Sequence, residues 1–197
     1  MKKFGTAAVL AGGKSSRMGF DKQRIEFSGE NIVKRNTEEL KRKFSQIIVV
    51  TNSPEIYEDE DYITVIQDII FQKGPLSGIH AALKYSESRY VYFLACDMPE
   101  IDMDFIEYMK NETDRVNAEI CIPMRDGRLE LFNGFYRKSL VPKIEKILKE
   151  DRRAIRALVE ISDTHIVNAD NIGKKDIFLN LNTQKELEDY RKLKEKE

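Results

Sequence analysis

An apolar run over residues 4–11 ends on two adjacent glycines, Gly12 and Gly13, and a single loop then presents Lys14, Arg17 and Lys22. Few structures can place such a stretch. A strand buried on both faces accounts for the apolar run. A glycine pair lets the backbone turn sharply and bring its N–H groups against a guest. Three cations so close together call for a polyanion, and phosphate is the expected one. Spacing excludes two familiar phosphate loops. The Walker pattern needs a glycine five places before the Gly of Gly-Lys-[Ser/Thr], and upstream of Gly13-Lys14-Ser15 that place is held by Ala8. The dinucleotide fingerprint Gly-x-Gly-x-x-Gly fails as well, because the next glycine after the adjacent pair is Gly19.

Further apolar runs follow the same design. Residues 46–51 are β-branched and nearly continuous, as in a central parallel strand covered on both faces. Residues 62–67 read as a strand reaching Asp68, and residues 90–95 as one that stops abruptly at Cys96-Asp97-Met98-Pro99. Between them, Ile32, Val33, Leu40 and Phe44, with Asn36 as the polar exception, recur at helical spacing, as do Leu76, Ile79, Ala82 and Leu83. Strands alternating with helices predict an α/β fold with a doubly wound, mostly parallel sheet and right-handed crossovers. Ligands of such sheets gather at the carboxyl ends of the strands, so Gly12, Asn52, Asp68 and Asp97 are expected to face one crevice.

The second half reads as a helix capped by Asp102, strands at 118–123 and 131–137, helices at 140–148 and 155–159, and a strand at 164–167. Gly134 marks a bulge or a close approach in the 131–137 strand. The charged segment 184–197 is assigned to a solvated helical face.

With 197 residues, 41% of them hydrophobic, the chain suffices for one full core, and a single domain over residues 1–197 is expected. Its 33 basic residues nearly cancel 34 acidic ones, so no global field draws it to nucleic acid or membrane, and anion attraction has to be local. Cys96 and Cys121 form neither a metal motif nor a disulfide framework, which fits a reducing cytoplasm. The charged start before the apolar run imitates a signal sequence but is too short and too interrupted, and it reads as a first strand. His80 and His165 have no second ligand at metal spacing and read as surface or packing residues. Cys96 reads as a small buried hydrophobe at a strand end.

Asp97 is the second anchor. A carboxylate at a buried strand end, followed by Pro99, suits a hard divalent cation such as Mg²⁺, which takes one or two protein oxygens and completes its shell with phosphates and water. The competing role is a cap on the following turn. No candidate His, Cys or Ser triad is present. That agrees with nucleotidyl transfer, whose acceptor phosphate is already ionised and whose difficulty is charge and alignment.

Four motifs occur in order: Leu-Ala-Gly-Gly-x-x-x-Arg-Met-Gly followed by Asp-Lys, then Gly-Pro-Leu-Ser-Gly, Cys-Asp-Met-Pro and Asn-x-Asn-Thr. Over nearly the whole chain this pattern resembles the molybdenum cofactor guanylyltransferase family. The resemblance implies the three-layer, Rossmann-like nucleotide-diphospho-sugar transferase fold, with a nucleotide half at about 1–100 and an acceptor half at about 101–197. It implies transfer from GTP to molybdopterin cofactor with release of pyrophosphate and a requirement for Mg²⁺. It also implies transient contact with cofactor-biosynthesis proteins or apo-molybdoenzymes. Carried onto this sequence, Leu10, Ala11, Gly12 and Gly13 meet the nucleotide through backbone, with Gly78 from the second motif nearby. Arg17 and Lys22 serve its phosphates and the transfer, and Asp97 serves both nucleotide and magnesium. Asp68 lines the nucleoside pocket, where it can accept hydrogen bonds from guanine or from ribose. Asn52 lies near it, with Thr51 an equal choice. Asn180 and Asn182 face the acceptor pterin, or else Asn182 or Thr183 caps a helix. One departure stands out: Glu130-Leu131-Phe132-Asn133-Gly134-Phe135-Tyr136 lacks the proline that many members carry after the glutamate. A CTP-using transferase and a GTP-holding module without turnover are the alternative readings.

Overall fold

The computed structural model describes residues 1–12, 21–70 and 74–194. Gly13, Lys14 and Arg17 lie outside the described residues. The strands are β1 (Lys2–Leu10), β2 (Glu26–Phe27), β3 (Glu30–Asn31), β4 (Gln46–Val50), β5 (Ile63–Ile66), β6 (Ser88–Ala95), β7 (Ile120–Arg125), β8 (Arg128–Leu129), β9 (Gly134–Arg137) and β10 (Thr164–Asn168). The helices are α1 (Ile32–Lys41), α2 (Pro75–Tyr85), α3 (Met103–Val116), α4 (Val141–Lys149), α5 (Ile155–Ile161) and α6 (Gln184–Lys194).

One eight-stranded sheet runs β10-β7-β9-β6-β1-β4-β5, with β8 paired to β7. The pairs β1–β4, β1–β6, β4–β5 and β10–β7 are parallel. The period of two along β1 explains the layers: Ala8 and Leu10 join a core with residues of α2, α4 and α5, while Ala7 and Val9 join a second core with residues of α1 and α3. Strands apolar on both sides therefore lie at the centre, as the unbroken runs predict.

The second half of the chain departs from a simple parallel continuation. Strand β9 runs antiparallel between β6 and β7, and β7 continues through a tight Asp126–Gly127 turn into β8. The predicted strand at 131–137 is a strand only from Gly134 on. The close approach expected at Gly134 is real, since a Cβ there would stand 2.5 Å from the Cys121 carbonyl oxygen. Just before it, Asn133 adopts φ 57° and is buried. Its Oδ1 accepts from the Tyr92 hydroxyl at 2.5 Å, and its Nδ2 donates to the Ile177 carbonyl at 2.8 Å. One buried amide thus ties β6, the start of β9 and the chain near residue 177 together, in the segment where the family's proline is missing. Asn133→Ala strands two buried partners at about 1–3 kcal/mol each and places alanine in a left-handed conformation, so a loss of about 3 kcal/mol in urea unfolding is expected. Asn133→Gly, which suits that φ, should lose about 1 kcal/mol less.

The C-terminal helix corrects the expectation of a solvated tail. Leu187 and Tyr190 of α6 are buried with Ile25, Ile32 and Leu181, and the Tyr190 hydroxyl donates to Glu100 at 2.7 Å. Two apolar positions three apart make a stripe too narrow to stand out among the surrounding charges. This stripe binds the residues following the glycine loop to the chain around Leu181.

Candidate active site

The register of the central strands aligns three chain ends. Leu10 pairs with Val50 on one side and Ala95 on the other, and pairing continues one residue further through Ala11 N–H to Val50 O (2.9 Å) and Cys96 N–H to Leu10 O (3.1 Å). Gly12 and Asp97 consequently emerge side by side, where the strands have spent their hydrogen bonds on one another and the next residues face open space. A cleft of about 240 Å³ opens there, lined by Leu10, Ala11, Gly12, Lys22, Asp97 and Asn180 among others. Among the described residues, a Cβ on Gly12 would meet only the Val50 carbonyl oxygen, at an ordinary 3.8 Å. Among the described residues, packing therefore gives no reason for glycine at position 12.

Lys22 reaches across this cleft. Its Nζ donates to Asp97 Oδ2 at 2.8 Å and to Asn182 Oδ1 at 2.7 Å, with about one fifth of either charged side chain exposed. Three chain segments remote in sequence thereby converge on one ammonium. Asp21 sets up the turn by accepting from Gln23 N–H at 3.1 Å. The buried Gln23 then anchors it: its Oε1 accepts from the Thr51 hydroxyl at 2.5 Å, and its backbone oxygen accepts from Asn31 Nδ2 at 2.6 Å. On the opposite wall, the Leu181 N–H donates to the Asp97 carbonyl at 2.8 Å. The helix-cap role at the start of α6 falls to Thr183, whose hydroxyl accepts from Glu186 N–H, while the Glu186 carboxylate accepts from Asn182 N–H. Because Thr183 does the capping, the Asn182 side chain is left for Lys22.

A smaller recess adjoins the cleft, lined by Leu10, Gly12, Asp68, Pro75 and Gly78. Burial pushes the Asp68 carboxyl above its ordinary range, while the Ser77 hydroxyl and His80 pull it back. Gly78 has a packing reason of its own, since a Cβ would lie 3.2 Å from a Leu10 methyl where the first turn of α2 crosses β1. Asn52 is exposed and lines neither opening, and the Thr51 hydroxyl is committed to Gln23. Asn180 lines the main cleft and bonds the Phe178 carbonyl through Nδ2. Arg17 and Gly13 lie outside the described residues.

The cleft also contains residues that sequence reasoning did not single out. Phe132 and Pro75 supply apolar walls, and Gln23 holds the lysine's turn. Gln23 directly follows the Asp-Lys motif, a hint of its importance, but its partner Thr51 could not be paired with it by sequence. Cys96 is no nucleophile at neutral pH: burial, aided by Asp97, pushes its thiol up to about 12. His80 is buried, with Nε2 3.1 Å from Glu145, and so packs rather than ligates.

Asp97 fits a magnesium ion. Its carboxylate lines the cleft and holds one cation, the Lys22 ammonium, on Oδ2, which leaves Oδ1 without a hydrogen bond among the described residues. No group of three His, Cys, Asp or Glu that could hold a metal occurs among the described residues. One carboxylate plus substrate phosphates is the arrangement Mg²⁺ ordinarily takes.

A doubly wound sheet that gathers a glycine-ended strand, a lysine and a carboxylate at one crevice defines a nucleotide-handling α/β enzyme. The chain belongs to the MobA-like NTP transferase family, whose model matches residues 7–167, and it is a nucleotidyltransferase. It is 40% identical to the Peptoclostridium acidaminophilum "probable molybdenum cofactor guanylyltransferase", over 100% of this chain and 92% of that protein. It is 41% identical to the molybdenum cofactor guanylyltransferase of Syntrophotalea carbinolica, over 96% and 92%. Its fold matches the crystal structure of molybdopterin-guanine dinucleotide biosynthesis protein A from Archaeoglobus fulgidus with a TM-score of 0.82 at 23% identity, covering 98% of this chain and 100% of that one. No helix among the described residues is long and apolar enough to cross a membrane.

Proposed function

We propose that this protein transfers the guanylyl group of GTP to the phosphate of molybdopterin cofactor. An oxygen of the acceptor phosphate bonds to the α-phosphorus of GTP, the bond from that phosphorus to the bridging oxygen breaks, and pyrophosphate leaves with the electron pair. The observation that carries this reading is the meeting of Lys22, Asp97 and Asn182 beside Gly12 at the ends of β1 and β6.

Each group has a task. The backbone at Leu10, Ala11 and Gly12, with Gly13 beyond, lies against the nucleotide, and Asp68 in the smaller recess accepts from the guanine edge or the ribose. Lys22, joined by Arg17, neutralises the phosphates as negative charge builds on the departing pyrophosphate. Asp97 holds Mg²⁺, which supplies charge neutralisation and in-line alignment when bound. Asn180 and Asn182 face the acceptor from the other wall, dividing the molecule into a nucleotide half at about 1–100 and an acceptor half at about 101–197. No general base is needed, because the attacking phosphate is already an anion. A cytoplasmic setting fits these substrates, and delivery of the product to cofactor-biosynthesis proteins or apo-molybdoenzymes follows from the lability of the acceptor.

Pyrophosphate release is the test. GTP with Mg²⁺ and molybdopterin cofactor should give stoichiometric pyrophosphate, while omission of the acceptor should give none. Faster release with CTP would overturn the guanine assignment, and tight GTP binding without any release would leave a binding module in place of an enzyme.

A further inference from the structure

A second cleft, of about 530 Å³, lies beyond the first, and Arg125, Arg128, Glu130, Asp176 and Phe178 are among its lining residues. Two segments contribute neighbouring residues to both clefts. The chain that gives Glu130 to one gives Phe132 to the other, and the chain that gives Phe178 to one gives Asn180 to the other.

Its lining is unusual in what it leaves unpaired. Arg125 and Arg128 sit directly opposite each other across the two-residue turn formed by Asp126 (φ 49°) and Gly127 (φ 72°). Like charges so placed repel. The Arg125 Nη1 is buried with no hydrogen-bond partner among the described residues. The guanidinium carbon of Arg125 lies 5.3 Å from the centre of the Phe178 ring, which is itself braced edge-on by Phe105 at 5.5 Å. The half-buried Glu130 carboxylate accepts no hydrogen bond among the described residues. Burial raises its carboxyl above the ordinary range, while Arg128 and Arg125 pull it down. Two guanidiniums, a carboxylate without a hydrogen bond among the described residues and a fixed aromatic ring thus line one space.

Two guanidiniums against the three carboxylates of Asp126, Glu130 and Asp176 make this a poor place for a polyanion, so a second triphosphate is excluded. The same set suits a flat, uncharged heterocycle with donors along one edge and acceptors along the next. We propose that this cleft is the ring subsite of the acceptor: Glu130 accepts from the amino and ring N–H edge of a 2-amino-4-oxo pteridine, Arg125 and Arg128 donate to its carbonyl and ring nitrogens, and Phe178 walls one side. This rests on the reading of the acceptor as a pterin phosphate, and makes Glu130 and Arg125 determinants of acceptor specificity outside the nucleotide machinery.

The test uses 6-hydroxymethylpterin, whose fluorescence reports binding without turnover, added to the whole protein in the presence of GTP and Mg²⁺. Wild type should quench it saturably. Glu130→Gln, which preserves size, and Arg125→Met should each weaken that binding by roughly tenfold or more, the effect of losing one charge-assisted hydrogen bond, with the affinity for GTP unchanged. In the unaltered protein, magnetisation transfer should connect the pterin ring protons to those of Phe178, an outcome that does not depend on any variant folding. Failure to bind the pterin up to its solubility limit, equal binding by both variants, or ring contacts located elsewhere would each overturn the subsite. Pyrophosphate assays separate the two readings. If wild type turns over and both variants keep its KM for molybdopterin cofactor, the subsite is wrong and the transferase stands; if wild type binds the pterin as described and releases no pyrophosphate, the transferase is wrong and the subsite stands.

Discussion

Asp97→Asn is expected to slow pyrophosphate release by roughly 100- to 1,000-fold, the range seen when one charge-stabilising group is removed from a transfer site. The substitution keeps the shape of the side chain and should keep its position, because the backbone around it is pinned by Cys96 N–H to Leu10 O, Met98 N–H to Ala95 O and Leu181 N–H to the Asp97 carbonyl. What it removes is the negative charge that suits a divalent cation. Stability should change little. The amide of asparagine can still accept from the Lys22 ammonium, which keeps about one fifth of its side chain exposed. The diagnostic readout is the magnesium titration: wild type should saturate, whereas the variant should need much more metal or fail to respond. A variant that retains the wild-type metal dependence would remove Asp97 from the metal site.

Lys22→Met should lower kcat by about 100-fold while weakening GTP binding only several-fold. The ammonium competes for no task in the ground state that other phosphate contacts cannot share, but charge on the β-phosphate rises as the bond to the α-phosphorus breaks. Methionine retains most of the side chain's length and apolar contacts, so the loss isolates the charge. Without ligand, the same ammonium bridges Asp97 and Asn182, at 2.8 and 2.7 Å. An ammonium carries three donors, so one N–H remains for a phosphate oxygen beside these two bonds. Equal losses in binding and turnover would mean that Lys22 contributes only uniform binding.

The cleft at the ends of β1 and β6 was largely legible in the sequence because its signals are local. Strands β1, β4 and β6 are buried on both faces and read as unbroken apolar runs, and their abrupt ends at Gly12 and Asp97 mark the crevice without knowledge of any partner strand. The alignment of Lys22 with Asp97 followed from the family pattern and from charge balance; a separation of the two across the molecule would have ended the reading, and they stand in hydrogen-bonding contact. The second half of the chain was less legible because its geometry depends on contacts between distant segments. The reversal of β9 between β6 and β7 hinges on Asn133 and its bonds to Tyr92 and Ile177. The anchoring of Lys22 through Gln23 hinges on Thr51, and the docking of α6 on a two-residue stripe. None of these pairings has a periodic or compositional signature.

The most direct measurement is a crystal structure with a non-hydrolysable GTP analogue and Mg²⁺. The predicted result is the α-phosphate beside Gly12, the metal on Asp97, and Lys22 Nζ donating to a phosphate oxygen. A nucleotide bound elsewhere, with the Lys22 to Asp97 pair intact beneath an empty cleft, would contradict it.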